Sequence, residues 1–297
     1  MPADDVAVVG QLTDDQRRRV RGVTAAALAT DGVAPLSEQA VVAIDQRTGV
    51  RHVLVGDGDA VAGYANIRPG RDDEPATIEA VVDPSRRRRG YGRALLTAAF
   101  GAARADGPAR VWAHGDLPAA AALAATLGLS RRRELRQLRR EGSSATLPDL
   151  VVGENVILRT YAGAADDAEI LRVNNAAFDW HPEQGGWSLD QIVERTTAEW
   201  FDPAGLFLAV DAATGRLLGF HWTKRQGPDL GEVYIVGVDP AAQGRGLGRL
   251  LTLAGLHYFA DRGVDEVQLY VEGDNTAAVH TYERLGFTRY AVDVAYG

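Results

Sequence analysis

The spacing of apolar residues changes along the chain, from continuous runs typical of strands to the spacing of three to four residues typical of helices. Extended apolar runs at 77–82 and 232–238 predict strands. Each run is followed, at 95–103 and 247–258, by leucines and alanines three to four positions apart, which predicts an amphipathic helix. A shorter strand and an Ala-rich helix ending in Leu-Gly then follow in both places.

The segment before the second run completes the pattern. Residues 155–161 predict a strand, 166–178 and 188–201 predict two helices, and 206–222 predicts two strands around a Thr-Gly turn. The predicted order from residue 155 to the C-terminus is β-α-α-β-β-β-α-β-α-β. This order indicates an α+β fold with a mixed sheet.

The two stretches are copies of one plan. Eight of sixteen positions agree between 81–96 and 237–252, and Gly246 lies 156 positions after Gly90. A repeat of this length corresponds to a domain of ordinary size. Residues 141–150 are small, polar and contain a proline, as in a linker. We therefore predict an N-terminal domain over 1–142, a linker over 143–152 and a C-terminal domain over 153–297.

Composition and charge narrow the functional classes. The 297 residues are 46% hydrophobic and carry a net charge of −8, which suits a globular protein and disfavours a nucleic-acid partner. The chain has no cysteine and its six histidines lack ligand spacing, so we expect neither disulfides nor a metal site. Without a long apolar run or a signal-peptide pattern, a cytoplasmic protein with no membrane partner is expected.

A glycine-containing turn joins strand to helix in both copies. It reads DPSRRRRGYGR at 83–93 and DPAAQGRGLGR at 239–249. The N–H groups of such a turn, with the positive end of the following helix, favour a diphosphate. Neither copy has the three glycines of a dinucleotide-binding turn or the GK[ST] of a P-loop. A solvated charged face is the alternative interpretation for Arg86 and Arg88.

The motif spacing points to a known superfamily. Gln243-x-x-Gly246-x-Gly248, its counterpart Arg87-x-x-Gly90-x-Gly92 and the helix ending in Leu-Gly-Phe resemble the acyl-CoA motif of the GNAT acetyltransferases. The resemblance implies two tandem GNAT domains, each a mixed and mostly antiparallel sheet flanked by helices, with acetyl-CoA as the acetyl donor. The implied acetyl-CoA contacts in the C-terminal copy are Val236, Gly237, Val238, Gln243, Gly244, Arg245, Gly246, Leu247, Gly248, Arg249, Asn275, Thr276, Ala277, Ala278, Val279 and His280. The corresponding positions in the N-terminal copy are Val81, Val82, Asp83, Arg89, Gly90, Tyr91, Gly92, Arg93 and Ala94, with Leu117 in place of Asn275.

Acyl transfer to an amine needs a base for the amine and an acid for the leaving thiolate. Glu232 lies on the strand before the second motif, and its even offset from Val236 predicts that both point to one face. Tyr282 stands where GNAT-like domains hold a thiolate protonator. The aligned positions in the N-terminal copy are Ala76 and Ala124, and Glu79 is expected on the other strand face. We therefore predict that the C-terminal copy catalyses and that the N-terminal copy binds CoA, supports the fold, or does both.

The C-terminal half resembles one particular family within this superfamily. The tandem arrangement and the stretches 178–188, 231–251 and 275–296 resemble the mycothiol synthase family of actinobacterial tandem GNAT enzymes. Those enzymes acetylate the cysteinyl amine of a cysteine–glucosamine–inositol conjugate. The resemblance implies acceptor contacts at Glu38, Glu183, Lys224, Glu232 and Tyr270. A glycine within a predicted strand, Gly237, is compatible with a bulge where the pantetheine pairs with backbone.

Two other functions fit the same motifs. One is a GNAT enzyme for another amine, such as an aminoglycoside, a polyamine or a protein N-terminus. The other is a CoA-binding regulator without turnover, which the presence of Glu232 and Tyr282 disfavours. We expect a small-molecule amine acceptor, no nucleic-acid partner and a monomeric chain.

Overall fold

The computed structural model describes residues 5–45, 48–57, 60–70, 74–104, 107–141, 147–179 and 184–297. They form two compact units, one made of Met1–Leu135 with Ala291–Gly297 and the other of Arg136–Tyr290. We call them the first and second unit. Their boundary passes through two strands, one near residue 135 and one near residue 290.

The first unit contains one sheet with helices on both faces. Its sheet contains β1 to β5, whose bounds follow, and the C-terminal strand β12 (Thr288–Tyr296), in the order β1-β2-β3-β4-β5-β12. Strands β4 and β5 are the parallel pair. The chain from the N-terminus to the boundary forms β1 (Asp5–Val9), α1 (Asp14–Asp31), α2 (Glu38–Ala43), β2 (Arg51–Asp57), β3 (Ala60–Arg68), β4 (Ala76–Val82), α3 (Tyr91–Ala103), β5 (Ala109–His114), α4 (Pro118–Thr126) and β6 (Arg131–Glu141).

The second unit repeats this plan. Its sheet order is β6-β11-β10-β9-β8-β7, and β10 and β11 are the parallel pair. The remaining elements are β7 (Val156–Thr160), α5 (Asp167–Ala177), α6 (Leu189–Thr196), β8 (Leu206–Asp211), β9 (Leu217–Arg225), β10 (Leu230–Val238), α7 (Leu247–Asp261), β11 (Glu266–Glu272), α8 (Thr276–Arg284) and β12 (Thr288–Tyr296). The α+β fold and the predicted element order are confirmed.

Two helix pairs cover opposite faces of the second sheet. On one face, α7 and α8 bury Leu256, Phe259 and Val279 against Val233 and the inward side chains of β11. On the other, α5 and α6 bury Ile170 and Ile192 against Phe220, Trp222 and Ile235. We call these the α7 face and the α5 face. The predicted helix 188–201 ends at Thr196, because Trp200 and Phe201 pack as aromatic partners of Trp222 instead of continuing the helix.

The division into units differs from the predicted domain boundaries. The last seven residues belong to the first unit, where β12 pairs with β5 from Asp293↔His114 to Tyr296↔Val111. Val294 and Tyr296 are buried in the core beneath α3. Residues 143–146 of the predicted linker lie outside the described residues. The local polarity of a linker is visible in the sequence, whereas strand pairing over long separations is not.

Candidate active site

The two glycine-containing turns have the same backbone conformation. Gly246 caps the N-terminus of α7 with φ 76° and ψ 8°, and Gly90 caps α3 with φ 92° and ψ −12°. Two positions earlier, Gly244 and Arg88 both have positive φ, at 76° and 65°. Arginine rarely adopts this conformation, so its presence at Arg88 indicates that the surroundings impose the turn. Turns of this kind at the start of a helix present backbone N–H groups that favour an anion.

The turn of the second unit is open to an anionic ligand. A Cβ added at Gly244, Gly246 or Gly248 would meet nothing within 4 Å, and no acidic side chain lies in the first turn of α7. A cleft of about 370 Å³ adjoins it, lined in part by Arg245, Arg249 and Asn155. In the first unit, the guanidinium of Arg87 is held by Asp31 of α1 at 2.7 and 2.6 Å. Arg87 therefore serves an internal ion pair rather than facing a ligand.

Strands β10 and β11 separate beside this turn. They pair over three residues, 230–232 with 266–268, and β10 then continues to Val238 with β9 as its partner. The β11 side of 233–238 is thus left with backbone groups directed into the gap between the strands. Such groups are strong hydrogen-bonding partners for an extended ligand.

A bulge lies in β10, but at a different place from the one predicted. The β9–β10 register shifts between Val233 and Ile235, which leaves Tyr234 as the extra residue. Gly237, where the bulge was expected, is in regular register with Phe220. A Cβ at Gly237 would lie 2.7 Å from Cε1 of Phe220, so this glycine is required by the packing of that ring.

The bulge also corrects the predicted orientation of Glu232. Val233 and Val236 both pack on the α7 face, although their offset is odd. Glu232 precedes Val233 and therefore points to the α5 face, away from Val236. The even-offset prediction was wrong because the extra residue inverts the alternation.

Three of the predicted acceptor residues share the α5 face. Glu232 and Lys224 are cross-strand partners, and Glu232 is also in register with Gln268 of β11. Tyr270 lies two residues farther along β11, alternating with Leu269 and Val271 of the α7 face. Glu232 is 8% exposed and accepts a hydrogen bond from the Gln226 side chain, whereas Tyr270 is 49% exposed. The sheet thus gathers a carboxylate, an ammonium and a phenol beside the gap.

Tyr282 lies on the opposite side of the sheet. It projects from α8, packs on the α7-face core and makes an edge contact with Phe287 at 5.8 Å between ring centroids. Burial raises the pKa of Tyr282 to about 12. The side chain is therefore a neutral hydrogen-bond donor at ordinary pH. Asn275, a predicted acetyl-CoA contact, caps α8 by accepting a hydrogen bond from the N–H of Ala278 at 3.1 Å.

Two predicted acceptor residues are not part of this group. Glu183 lies outside the described residues. Glu38 is an exposed residue at the start of α2 in the first unit. Both assignments stay predictions.

The first unit has no carboxylate at the position equivalent to Glu232. In the second unit, Glu232 has Lys224 and Gln268 as its partners on the two neighbouring strands. In the first unit, the residue with the corresponding partners, Arg68 and Arg110, is Thr77. The counterpart of Glu232 is therefore Thr77 and not Ala76, since only β10 contains the bulge.

Glu79 points to the face of the sheet covered by α2, opposite to the face predicted for it. It follows Ile78 of the α3 core and contacts α2 on the other side of the sheet, the side equivalent to that of Glu232. Ser37 donates to it from its N–H at 2.6 Å and from its hydroxyl at 2.7 Å, and His114 lies 3.1 Å away. These partners outweigh burial and lower the pKa of Glu79. The carboxylate thus binds both the start of α2 and His114 of β5.

Sequence reasoning missed an aromatic group around Lys224. The ammonium lies 4.9 Å from the ring centroid of Trp200 and 5.4 Å from that of Tyr234. Trp222, fully buried on the same face, has an indole N–H without a hydrogen-bond partner in the part of the chain that the structure describes. The alternation along β9 places Trp222 and Lys224 together, but Trp200 arrives from a loop and Tyr234 from the bulge. Neither signal is visible in the linear pattern.

Within the described ranges, no helix has the length and apolarity that a membrane crossing requires. The same ranges bring together no group of three or more histidine, aspartate and glutamate side chains suited to a metal ion.

Sequence comparison identifies the chain's relatives. Residues 25–129 and 173–287 each match the model of the Acetyltransferase (GNAT) family. The mycothiol acetyltransferase of Gordonia bronchialis is 69% identical over 99% of this chain and 95% of its own length. The mycothiol acetyltransferase of Nocardia farcinica is 60% identical over 93% of this chain and 92% of its own length.

Solved structures agree at the level of the fold. A GCN5-related N-acetyltransferase from Sphaerobacter thermophilus superposes with a TM-score of 0.74 at 22% identity, covering 99% of this chain and 95% of its own. A tandem GNAT protein from the clavulanic acid biosynthesis pathway gives a TM-score of 0.68 at 23% identity, covering 98% of both chains. The repeat, the fold and the relatives agree: the chain belongs to the Acetyltransferase (GNAT) family and, within it, to the mycothiol acetyltransferases.

Proposed function

We propose that the second unit transfers the acetyl group of acetyl-CoA to the cysteinyl amine of a cysteine–glucosamine–inositol conjugate, which yields mycothiol. The observation that carries this proposal is the gap between β10 and β11, with the buried carboxylate of Glu232 at its base and an open glycine turn at its rim. The name that the relatives carry, mycothiol acetyltransferase, supports the choice of pathway.

The donor site fits acetyl-CoA. The diphosphate would lie on the N–H groups of Gln243–Arg249 at the positive end of α7, with Arg245 and Arg249 nearby. The pantetheine arm would pair with the free backbone edge of Val236–Val238, as an added strand does. Asn275–His280, at the start of α8, would line the other side of the gap. When bound, acetyl-CoA supplies the thioester to be attacked.

Glu232 and Tyr282 would divide the proton transfers. The acceptor amine enters from the α5 face and loses its proton to Glu232, because only the neutral amine is a nucleophile. Its nitrogen forms the new N–C bond at the thioester carbonyl, and the C–S bond breaks. Tyr282, on the α7 face, gives its hydroxyl proton to the departing thiolate, and the second proton that the nitrogen loses as the amide forms returns through solvent to the Tyr282 oxygen. Placing the two groups on opposite faces sets the base beside the incoming amine and the acid beside the leaving sulfur.

The acceptor would be held by polar groups set among aromatic rings, which suits a conjugate that carries two polyol rings. Lys224, Glu232 and Tyr270 share the α5 face beside the gap. Glu183 and Glu38 are proposed as further acceptor contacts on the family resemblance.

The first unit would not catalyse. It retains the turn at Gly90, but Thr77 and Ala124 stand where Glu232 and Tyr282 act in the second unit. The buried Glu79 is committed to Ser37 and His114. The roles proposed for the first unit are to bind CoA at Val81–Asp83 and Arg89–Ala94, to support the fold, or both.

A thiol-release assay tests the proposal. Acetyl-CoA is incubated with the purified chain and, in parallel, with the cysteine–glucosamine–inositol amine, an aminoglycoside, a polyamine or no acceptor. We expect rapid CoA release with the first amine alone. Preferred turnover of another amine would refute the assignment of the acceptor, and release with none of them would favour a CoA-binding regulator.

Glu232→Gln separates catalysis from binding in the same assay. We expect kcat to fall by about 10²-fold or more, which is the usual contribution of a positioned base. Glu266→Gln is the matched control, since Glu266 lies on the neighbouring strand in an ion pair with Arg139. Loss of less than about threefold in kcat/KM for Glu232→Gln would remove Glu232 from the mechanism.

A further inference from the structure

Five side chains connect the loop before α6 with Lys224. Trp187 is in the loop just before α6. Its N–H donates to Oδ1 of Asn175 and its carbonyl accepts from Nδ2 of the same residue, both at 2.9 Å. This reciprocal pair fixes the backbone of Trp187 to α5. The segment held in this way comes four residues after Glu183.

Arg195 of α6 joins that loop to the bulge of β10. Its guanidinium lies 3.9 Å from the Trp187 ring centroid, within the range of a cation–π contact. Its Nε donates to the hydroxyl of Tyr234 at 3.2 Å, and its Nη1 donates to the carbonyl of Gln191 at 2.8 Å. The three contacts orient the planar side chain and bring Trp187 and Tyr234 into one arrangement.

Tyr234 carries the connection to Lys224. As the bulged residue, it directs its ring to the α5 face, where it makes an edge contact with Trp200 at 5.4 Å. The ammonium of Lys224 contacts both rings, at 4.9 Å from the Trp200 centroid and 5.4 Å from the Tyr234 centroid. A lysine side chain has several freely rotating bonds, so ordering it before a ligand arrives lowers the cost of binding.

We propose that Arg195 and Tyr234 are positioning residues for the acceptor: Arg195 couples the loop at Trp187 to Tyr234, and Tyr234 fixes Lys224 across from Glu232. This inference rests on the proposed function, in which Lys224 binds the acceptor. Neither residue touches the reacting atoms, so both act on acceptor binding and leave the donor site and the chemical step unchanged.

The test measures KM for the acceptor and for acetyl-CoA separately in Arg195→Gln and Tyr234→Phe. Tyr234→Phe keeps the ring and every apolar contact and removes only the hydroxyl that accepts from Arg195. We expect acceptor KM to rise about five- to tenfold in each, the effect of losing a partly desolvated cation–π or hydrogen-bonded contact. KM for acetyl-CoA and kcat are expected to stay within about twofold.

The double variant and a matched control sharpen the result. Because the two residues act through one contact, acceptor KM in the double variant should not exceed that of the larger single variant by more than about twofold. Arg262→Gln is the control, since Arg262 also stacks on a tyrosine, at 3.7 Å from the Tyr258 ring, but belongs to a separate contact with Asp202. It should leave both KM values unchanged.

Three outcomes would overturn the inference: acceptor KM unchanged in Tyr234→Phe, both KM values raised together, or fully multiplicative effects in the double variant. Lys224→Met distinguishes this failure from failure of the proposed function. If Lys224→Met raises acceptor KM and the other two variants do not, only the positioning role is wrong. If Lys224→Met also leaves acceptor KM unchanged, the acceptor site itself is misplaced.

Discussion

Tyr282 and Glu232 lie on opposite faces of the second sheet. Burial raises the pKa of Tyr282 to about 12, so its hydroxyl keeps its proton throughout the working range. Glu232 is buried and accepts a hydrogen bond from Gln226, and its partners on the neighbouring strands are Lys224 and Gln268. Their different surroundings suit the two roles proposed for them, a hydroxyl that gives its proton and a carboxylate that takes one.

Tyr282→Phe is expected to lower kcat by about 10²-fold while leaving the acceptor KM unchanged, because only the leaving thiolate loses its donor. Rate profiles against pH should show no basic limb from Tyr282 below about pH 11, given its pKa of about 12. Tyr290→Phe, at a 60% exposed tyrosine, is the control and should be neutral. A basic limb near pH 9 that disappears in Tyr282→Phe would contradict this assignment.

His114 ties the C-terminal strand to the first unit. Its Nε2 lies 3.1 Å from Glu79 and its Nδ1 lies 3.1 Å from Asp293 of β12. Desolvation lowers the pKa of His114, but the hydrogen bonds and charges of Asp293 and Glu79 outweigh it and raise the pKa to about 9. The imidazolium is therefore the form present at neutral pH.

This shift predicts a pH-dependent stability. Between the unfolded pKa of about 6.5 and the folded pKa of about 9, the folded chain binds the extra proton, so the contribution of His114 is complete below about pH 6.5 and is lost as the pH rises through 9. We expect His114→Gln to lower the free energy of unfolding by about 2 kcal/mol at pH 6.5 and by clearly less at pH 9.5. Denaturant titrations at the two pH values measure this, with His257→Gln as the control. An equal loss at both would exclude the ion pairs as its source.

At the scale of elements, α7 lies unusually close to β9. The ring of His221 is fully buried between them, where Nδ1 contacts the carbonyl of Leu251 at 2.8 Å and burial lowers the pKa to about 4. A Cβ at Gly255 would lie 2.0 Å from Cε1 of that ring. Glycine at this position is therefore required by helix–sheet packing and not by the backbone conformation.

Gly255→Ala is expected to destabilise the chain by about 3 kcal/mol, as overpacking of a rigid core does. Gly101→Ala in α3 provides the matched control, since a Cβ there meets nothing within 4 Å. That change should stabilise by about 0.5–1 kcal/mol through helix propensity. Thermal unfolding of the two variants should move in opposite directions, and a common direction would show that the close approach does not determine the outcome.

The duplicated turns allow the units to be separated functionally. Gly246→Asp places a carboxylate where the diphosphate is proposed to bind, so we expect KM for acetyl-CoA to rise by about tenfold or more. Gly90→Asp makes the same change in the first unit and should leave kcat and KM within about twofold. Initial rates at varied acetyl-CoA concentration measure both. Equal loss in the two variants would assign the chemistry to both units.

At the scale of the whole molecule, the chain does not divide into two consecutive segments. The first unit includes Ala291–Gly297, and the buried Val294 and Tyr296 complete the core beneath α3. Strand β5 has no partner on that side without them, and an unpaired strand edge promotes association.

A fragment of residues 1–142, cut where the sequence predicts a boundary, is therefore expected to aggregate or to unfold without cooperativity. Residues 1–135 followed by a flexible linker and 291–297 should regain a single cooperative thermal transition, because the missing strand is restored. Circular dichroism and sedimentation compare the two. Cooperative unfolding of the shorter fragment would show that β12 is dispensable for the first unit.

The sequence by itself determined the repeat, the α+β order, the two glycine turns and the pairing of a candidate base with a candidate acid. These are local signals: apolar period, cap residues and motif spacing depend on neighbours within a few turns of chain. The family resemblance rests on the same short stretches, and the comparison with relatives confirmed it.

Only the tertiary structure decided which side chains meet. The bulge at Tyr234 places Glu232 on the face opposite to the predicted one, because one extra residue inverts the alternation between Glu232 and Val236. For the same reason the counterpart of Glu232 in the first unit is Thr77 and not Ala76. The pairing of β12 with β5 moves the boundary between the units. The packing of Trp200 and Tyr234 against Lys224, with Arg195 bound to Tyr234, builds the proposed acceptor side of the site. Each depends on contacts between residues far apart in the chain, which no local pattern encodes.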